Sequence, residues 1–226
     1  MVTSTASRSE IGVDEFVPGA YWTPERAAAA IDKMTATWAS PELQALAQQM
    51  GADFEATHDP GVMQTPSVPT GAYAHERIRY RRANAADIPQ LVALILAANL
   101  PPLFMEEFIE GFAVAEQDGK IIACGGLEIY DRYGVIRSIA VDQEARGLGL
   151  GRIITDLLIE EARRYPCEET YLMTVDAWEF WKHVGFVDVE PEEWAPPAQK
   201  FWQYQFVCSK PEFREGMGVH FMRLPK

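Results

Sequence analysis

Apolar residues change their period once along the chain. Before about residue 52 they recur three and four apart. From about Ile78 they alternate, or gather into short blocks bounded by turn residues. In the first region Ala27, Ile31, Met34 and Trp38 line one face of a predicted helix, which Thr23-Pro24-Glu25 starts. Ser40-Pro41-Glu42 starts a second helix, with Leu43, Leu46, Ala47 and Met50 as its apolar face and Gly51 as its stop. Together they read as a helical hairpin. Its stripes must dock on the main domain or on a second subunit, because an isolated amphipathic helix is marginal in water. Residues 1–20 read as irregular. Residues 52–75, with Pro60, Gly61, Pro66, Pro69 and Gly71, read as a linker.

The second region, about 76–226, predicts alternating strands and helices. A strand over Ile78 to Arg82 is followed by a helix through Ile88, Leu91, Val92, Leu94 and Ile95, broken at Asn99-Leu-Pro-Pro. A short helix covers Leu103 to Glu110. Strands Phe112 to Ala115 and Ile121 to Ile129 are joined at Asp118-Gly119, a hairpin signal. A strand from Val135, the helix Ile153 to Ala162, a strand Thr170 to Val175, a helix Ala177 to Val184, a strand from Phe186 and a last strand Val219 to Leu224 complete the order. The class is α/β (α+β) with an N-terminal helical extension, divided at residues 1–75 and 76–226.

Composition adds little to this picture and removes much. The 226 residues are 48% hydrophobic, enough for a sizeable core. Net charge is −13, with −6 of it in residues 1–75, so the acidity is spread rather than held in a tail. Such a surface argues against nucleic acid and anionic membranes as partners. Cys124, Cys167 and Cys208 are too few and scattered for a disulfide framework or a zinc site, and no metal is expected. The N-terminus lacks an apolar secretory core and no run is long enough to span a bilayer, so the expected location is cytoplasmic.

One stretch carries chemistry. The apolar run Val135 to Val141 leads into Arg146-Gly147-Leu148-Gly149-Leu150-Gly151-Arg152, and a helix pattern follows at once. Strand, glycine turn and helix start form a pyrophosphate cradle. Glycine lets the backbone approach an anion closely, unpaired N–H groups at the helix start point at it, and flanking arginines add charge-assisted bonds. The dinucleotide fingerprint fails, because Arg152 stands at its third glycine. The Walker loop fails, because Gly151 is followed by Arg-Ile.

R-x-x-G-x-G, carried by Arg146, Gly149 and Gly151, does fit. With the strand before, the helix after and Phe180-Trp-Lys-His-Val-Gly185-Phe186 downstream, residues 76–226 resemble the GNAT N-acetyltransferase superfamily. The resemblance implies that family's fold, a mixed central sheet splayed at the cofactor site with helices on both faces, and acetyl-CoA as co-substrate. It implies that the turn residues 146–152 hold the pyrophosphate. Backbone at Ile139, Ala140 and Val141 would pair with the pantetheine arm and bond the thioester oxygen, and Phe180 would pack near that arm. Many members place a proton-donating tyrosine where this chain has Trp181, whose indole gives up no proton near neutral pH. Tyr130, Tyr133 and Tyr171 are the substitutes, and a thiolate also leaves tolerably unaided.

Glu128, ending its strand, is the candidate base. It is equally a contact for the acceptor's ammonium, or a solvated strand end. Arg137 lies within an apolar strand and needs a partner, either Glu128 or a substrate carboxylate. The stretch from Gly125 to Val141, with the Asn99-Leu-Pro101 loop beside the acceptor, resembles the amino-acid N-acetyltransferase branch, which includes acetylglutamate-synthase-type domains and phosphinothricin- or arsinothricin-type acetyltransferases. That implies a small amino acid or analogue as acceptor, with Arg137 and Asn99 contacting it, attacked directly in a ternary complex. The other reading is a CoA-binding sensor or regulatory module with little turnover. A homodimer is compatible with either. His183 and His220 read as surface residues, and His58 and His75 as linker residues. Residues 194–206, with Trp194, Phe201, Trp202, Tyr204 and Phe206, read as core, subunit interface or an apolar acceptor pocket.

Overall fold

The computed structural model describes residues 16, 21–57 and 73–226. Most of the irregular stretch 1–20 and of the linker 52–75, with His58, lies outside the described residues. The chain forms two compact units, residues 1–21, 66–126 and 138–161 in one and residues 22–65, 127–137 and 162–226 in the other. Among the described residues no helix is long and apolar enough to cross a membrane.

The first unit holds β1 (Arg79–Arg82), α3 (Ile88–Ala97), α4 (Met105–Phe108), β2 (Phe112–Gln117), the start of β3 (Lys120–Tyr130), the end of β4 (Tyr133–Val141) and most of α5 (Leu150–Arg164). β1 pairs antiparallel with β2, and β2 with β3. The β2–β3 turn is Asp118-Gly119, both residues at positive φ, as a tight hairpin matching strand twist requires. Leu91, Ile95, Met105, Phe112, Val114, Ile121, Cys124 and Ala140 share one buried cluster. Two adjacent glycines set how closely its layers approach. A Cβ on Gly125 would lie 2.3 Å from Ile139 and 2.8 Å from Ile154 of α5, and one on Gly126 would lie 2.5 Å from the Phe112 ring. The bare backbone thus lets α5 settle onto the strands and fixes where its N-terminus emerges.

The second unit holds α1 (Pro24–Trp38), α2 (Pro41–Thr57), the remaining parts of β3 and β4, β5 (Glu169–Thr174), α6 (Trp178–Val184), β6 (Val187–Val189), α7 (Trp202–Cys208), α8 (Pro211–Met217) and β7 (His220–Pro225). β4 pairs parallel with β5 over Tyr133–Val135, while β7 pairs antiparallel with β5 and β6. The strand order is β1-β2-β3-β4-β5-β7-β6, a mixed seven-stranded sheet. Trp194 stacks on Tyr171 at 4.7 Å and meets Tyr204 and Phe221 edge-on or tilted, so much of the aromatic run is core.

Three expectations need correction. Gly51 does not stop its helix, which runs on to Thr57. A Cβ at Gly51 would lie 3.0 Å from the ring of Phe206, so this glycine serves a close approach rather than a cap. The short helix over Leu103 to Glu110 is a single α-turn at Met105–Phe108 followed by a 3₁₀ turn. Two helices, α7 and α8, stand where the sequence pattern gives none.

Candidate functional site

The glycine turn follows β4 through a 3₁₀ turn whose N-cap Asp142 accepts from the Glu144 N–H. Gly147 and Gly149 have φ of 84° and 73°, the left-handed region that favours glycine. α5 begins at Leu150, which is buried, and its ladder starts with Arg152 and Ile153 donating to the Gly149 carbonyl at 3.1 and 3.2 Å. Among the described residues, the N–H groups of Gly147 through Gly151 donate to no main-chain carbonyl. A Cβ on Gly149 would meet nothing within 4 Å. The turn is therefore an open ring of uncommitted donors at the positive end of a fifteen-residue helix. That is the donor set a diphosphate needs. Arg152 flanks it but is engaged one turn along, its Nε donating to both oxygens of Asp156 at 2.9 Å.

The strand entering the turn carries a backbone feature that the sequence does not announce. Ser138 sits at φ 53°, left-handed in mid-strand, and its carbonyl lies 3.6 Å from the Cys124 thiol. Beyond it, Ile139 and Val141 approach the α-carbon of Gly151, at 4.0 and 3.6 Å from where a Cβ would stand, whereas Ala140 turns to the opposite, buried cluster. The side chains of Ile139 and Val141 are thus packing groups, and what they offer a ligand is main chain. Asn99 is exposed at φ 55°. Its N–H bonds Leu96 O and the Leu100 N–H bonds Ile95 O, so it closes α3 in a Schellman motif.

In the second unit, Glu128, Tyr130 and Arg137 are brought together in a buried network. Arg137 Nη1 donates to Glu128 Oε1 at 2.7 Å, and the Tyr130 hydroxyl donates to Glu128 Oε2 at 2.5 Å. The Arg137 side chain is 3% exposed and that of Glu128 is fully buried, so the solvated strand end is not what forms. Burial, then the Glu128 charge, pushes the Tyr130 phenol well above its ordinary value. Phe201 meets the Tyr130 ring edge-on at 6.4 Å, and Trp202 lies 5.8 Å from the Arg137 guanidinium.

The other two candidate tyrosines, Tyr133 and Tyr171, are also committed. The Tyr171 hydroxyl donates to Glu169 and accepts from the Ala195 N–H, and that of Tyr133 donates to Glu168 at 3.1 Å. Burial first raises the Tyr171 phenol, and the Glu168 bond that of Tyr133. Trp181 is buried between Phe180 and Phe186, edge-on to both at 5.0 and 5.3 Å, so the indole that replaces the family's tyrosine is a packing group. His183 is exposed on α6, and His220 pairs with Asp188 at 2.9 Å near the surface.

The chain is similar to known proteins over its central part. The model of the acetyltransferase (GNAT) family matches residues 86–186. An amino-acid acetyltransferase of Mycobacterium tuberculosis is 33% identical over 122 residues, which are 49% of this chain and 68% of the relative. Further curated relatives are spanned over smaller shares, 65% and then 23% of their length. Among solved structures, N-acetylglutamate synthase of Neisseria gonorrhoeae, complexed with coenzyme A and N-acetyl-glutamate, superposes with a TM-score of 0.55 at 21% identity, over 66% of this chain and 35% of that one. A Mycobacterium tuberculosis protein solved in complex with CoA gives 0.53 at 25% identity, over 65% of this chain and 98% of its own. The chain belongs to the GNAT acetyltransferase family, and with that family's co-substrate it is an acetyl-CoA-dependent N-acetyltransferase.

Proposed function

We propose that the acceptor is the α-amine of a small amino acid or analogue, acetylated by direct attack in a ternary complex. The amine nitrogen attacks the thioester carbonyl, the C–N bond forms as the C–S bond breaks, and the sulfur leaves as a thiolate. N–H groups of Gly147–Gly151 hold the diphosphate, with Arg146 beside them. Main chain at Ile139–Val141 flanks the pantetheine arm and stabilises the oxyanion, and Phe180 packs against that arm. Asn99 caps its helix and offers an exposed amide to the acceptor.

The observation that carries the acceptor class is the buried Glu128–Arg137 pair. A buried ion pair opened by a ligand leaves a stranded charge unless the ligand replaces both partners. A simple amine matches Glu128 but offers Arg137 nothing in place of the carboxylate it gives up. A zwitterion matches both, ammonium to Glu128 and carboxylate to Arg137, so each partner exchanges one opposite charge for another. Glu128 is then positioned to accept the ammonium proton, directly or through water. Tyr130, whose hydroxyl is spent on Glu128, holds that carboxylate rather than protonating sulfur. The name of the 33%-identical relative supports the same class.

Thiol release measured with amino acids and with the corresponding decarboxylated amines tests this. The amino acids are expected to have the higher kcat/KM, and Arg137→Ala to abolish the difference. Equal rates for both classes in the wild-type enzyme would overturn the acceptor assignment. Saturable CoA binding with no turnover on any acceptor would point to the regulatory module.

A further inference from the structure

The family match begins at residue 86 and ends at residue 186, yet the buried ion pair is packed against a side chain from beyond the second limit, itself backed by one from before the first. Trp202, the first residue of α7, is 2% exposed, and its ring lies 5.8 Å from the Arg137 guanidinium. The ring of Trp38, the last residue of α1, meets Trp202 at 5.6 Å with an interplanar angle of 52°. The preceding residue, Phe201, contacts Tyr130. One aromatic dipeptide thus lies against Tyr130 and Arg137, two of the groups that hold Glu128, and the N-terminal hairpin backs it.

Trp38 is itself fixed. The Gln44 side chain of α2 donates to the Trp38 carbonyl at 3.2 Å, and the Ala39 and Ser40 N–H groups close the end of α1 on Thr35 and Thr37. At the other end, Thr23 caps α1 by accepting from the Arg26 N–H, with Pro24 at the first helical position. Such a hairpin delivers one ring to one place.

We infer that Trp38 is a positioning residue of the acceptor site, acting through Trp202 on Arg137, so that the N-terminal hairpin sets the enzyme's preference for carboxylate-bearing acceptors. The inference rests on the acceptor reading above. An indole face over a guanidinium favours its charged, planar form and limits where the fork can point. With Trp38 removed, Trp202 loses this ring contact and the guanidinium beneath it is held less firmly at the moment it must meet a carboxylate. That loss falls on acceptor binding, not on the diphosphate turn.

The test uses the full-length enzyme with Trp38→Ala, Trp38→Leu and Trp38→Phe, measuring acceptor KM, acetyl-CoA KM and kcat for an amino acid and its decarboxylated amine. Trp38→Ala should raise the amino-acid KM about three- to tenfold, as loss of a partly desolvated cation–π arrangement does, and shrink the preference over the amine by a similar factor. The acetyl-CoA KM should stay within about twofold, and Trp38→Phe should restore most of the preference. Trp38→Leu keeps apolar volume, so if the alanine variant fails to fold the leucine variant carries the same expectation. A folded leucine or alanine variant with an unchanged preference overturns the role of Trp38 while leaving the acceptor reading intact. A wild-type enzyme with no preference overturns that reading and this inference with it. A general loss of activity that phenylalanine does not rescue reduces Trp38 to a stability residue.

Discussion

Gly149 and Gly125 both resist a side chain, for opposite reasons. At Gly125 a Cβ would collide with Ile139 and Ile154, so the residue is defined by what lies against it. At Gly149 a Cβ would meet nothing, and what matters is a φ of 73° and the emptiness above the turn. A side chain at Gly125 is therefore a packing error, worth about 1–3 kcal/mol of stability. One at Gly149 strains the backbone by roughly 1 kcal/mol and otherwise acts only on what binds there. Gly149→Glu places a carboxylate beside the ring of N–H donors and should weaken CoA by about a hundredfold, the scale of one or two lost charge-assisted bonds. Its melting temperature should fall by only a few degrees. Calorimetric titration with CoA reads the first quantity and a thermal melt the second. Near-wild-type affinity would remove the diphosphate from this turn.

At the scale of elements, β1 is tied to α3 by a carboxylate. Asp87 accepts from Arg81 at 2.7 and 2.9 Å and from the Asn84 N–H at 2.8 Å, completing a capping box with Asn84. Arg81, first, holds this carboxyl below its usual range, against the opposing effect of burial. A depressed folded-state value means stability that is present above the unfolded value, near pH 4, and lost as pH falls through the folded one. Asp87→Asn should therefore destabilise the protein by about 2 kcal/mol at neutral pH, and its deficit should shrink on acidification below about pH 4. Denaturant melts at several pH values check this, and a deficit that stays constant with pH would assign the loss to packing.

The same scale shows what the sequence discloses. Signals decided within a few residues are legible: the Asp118-Gly119 hairpin, the Thr23-Pro24 helix start and the glycine turn all form where local chemistry puts them. Features decided by distant partners are not. Gly51 reads as a stop until Phe206 is seen against it, and Ser138 gives no sign of its left-handed backbone. α7 and α8 are short, and their aromatic residues are spent on Trp38, Phe221, Trp194 and one another rather than on a periodic stripe. Arg137 in an apolar strand announces a need for a partner. That Glu128, nine residues back across a hairpin, supplies it leaves open what opens the pair.

For the whole molecule, the balance of charge decides how a polyanionic co-substrate arrives. The chain carries −13, spread along its length. Around the turn the cations are largely spoken for: Arg152 is paired with Asp156, Lys120 with Asp142 at 2.9 Å, and Glu144 is exposed close in sequence to Arg146. On the proposed site the grip would then come chiefly from main-chain donors, which act at contact and contribute little to long-range steering. At low ionic strength, where the screening length is about 30 Å, the net negative charge should repel the incoming phosphates. At about 0.15 M, where it falls to about 8 Å, that repulsion should fade. The association rate of CoA is expected to rise with salt, opposite to the behaviour of an anion steered into a basic cleft. Stopped-flow binding across that range distinguishes the two, and a rate that falls with salt would mean that Arg146 and Arg152 set the field at the turn despite their acidic neighbours.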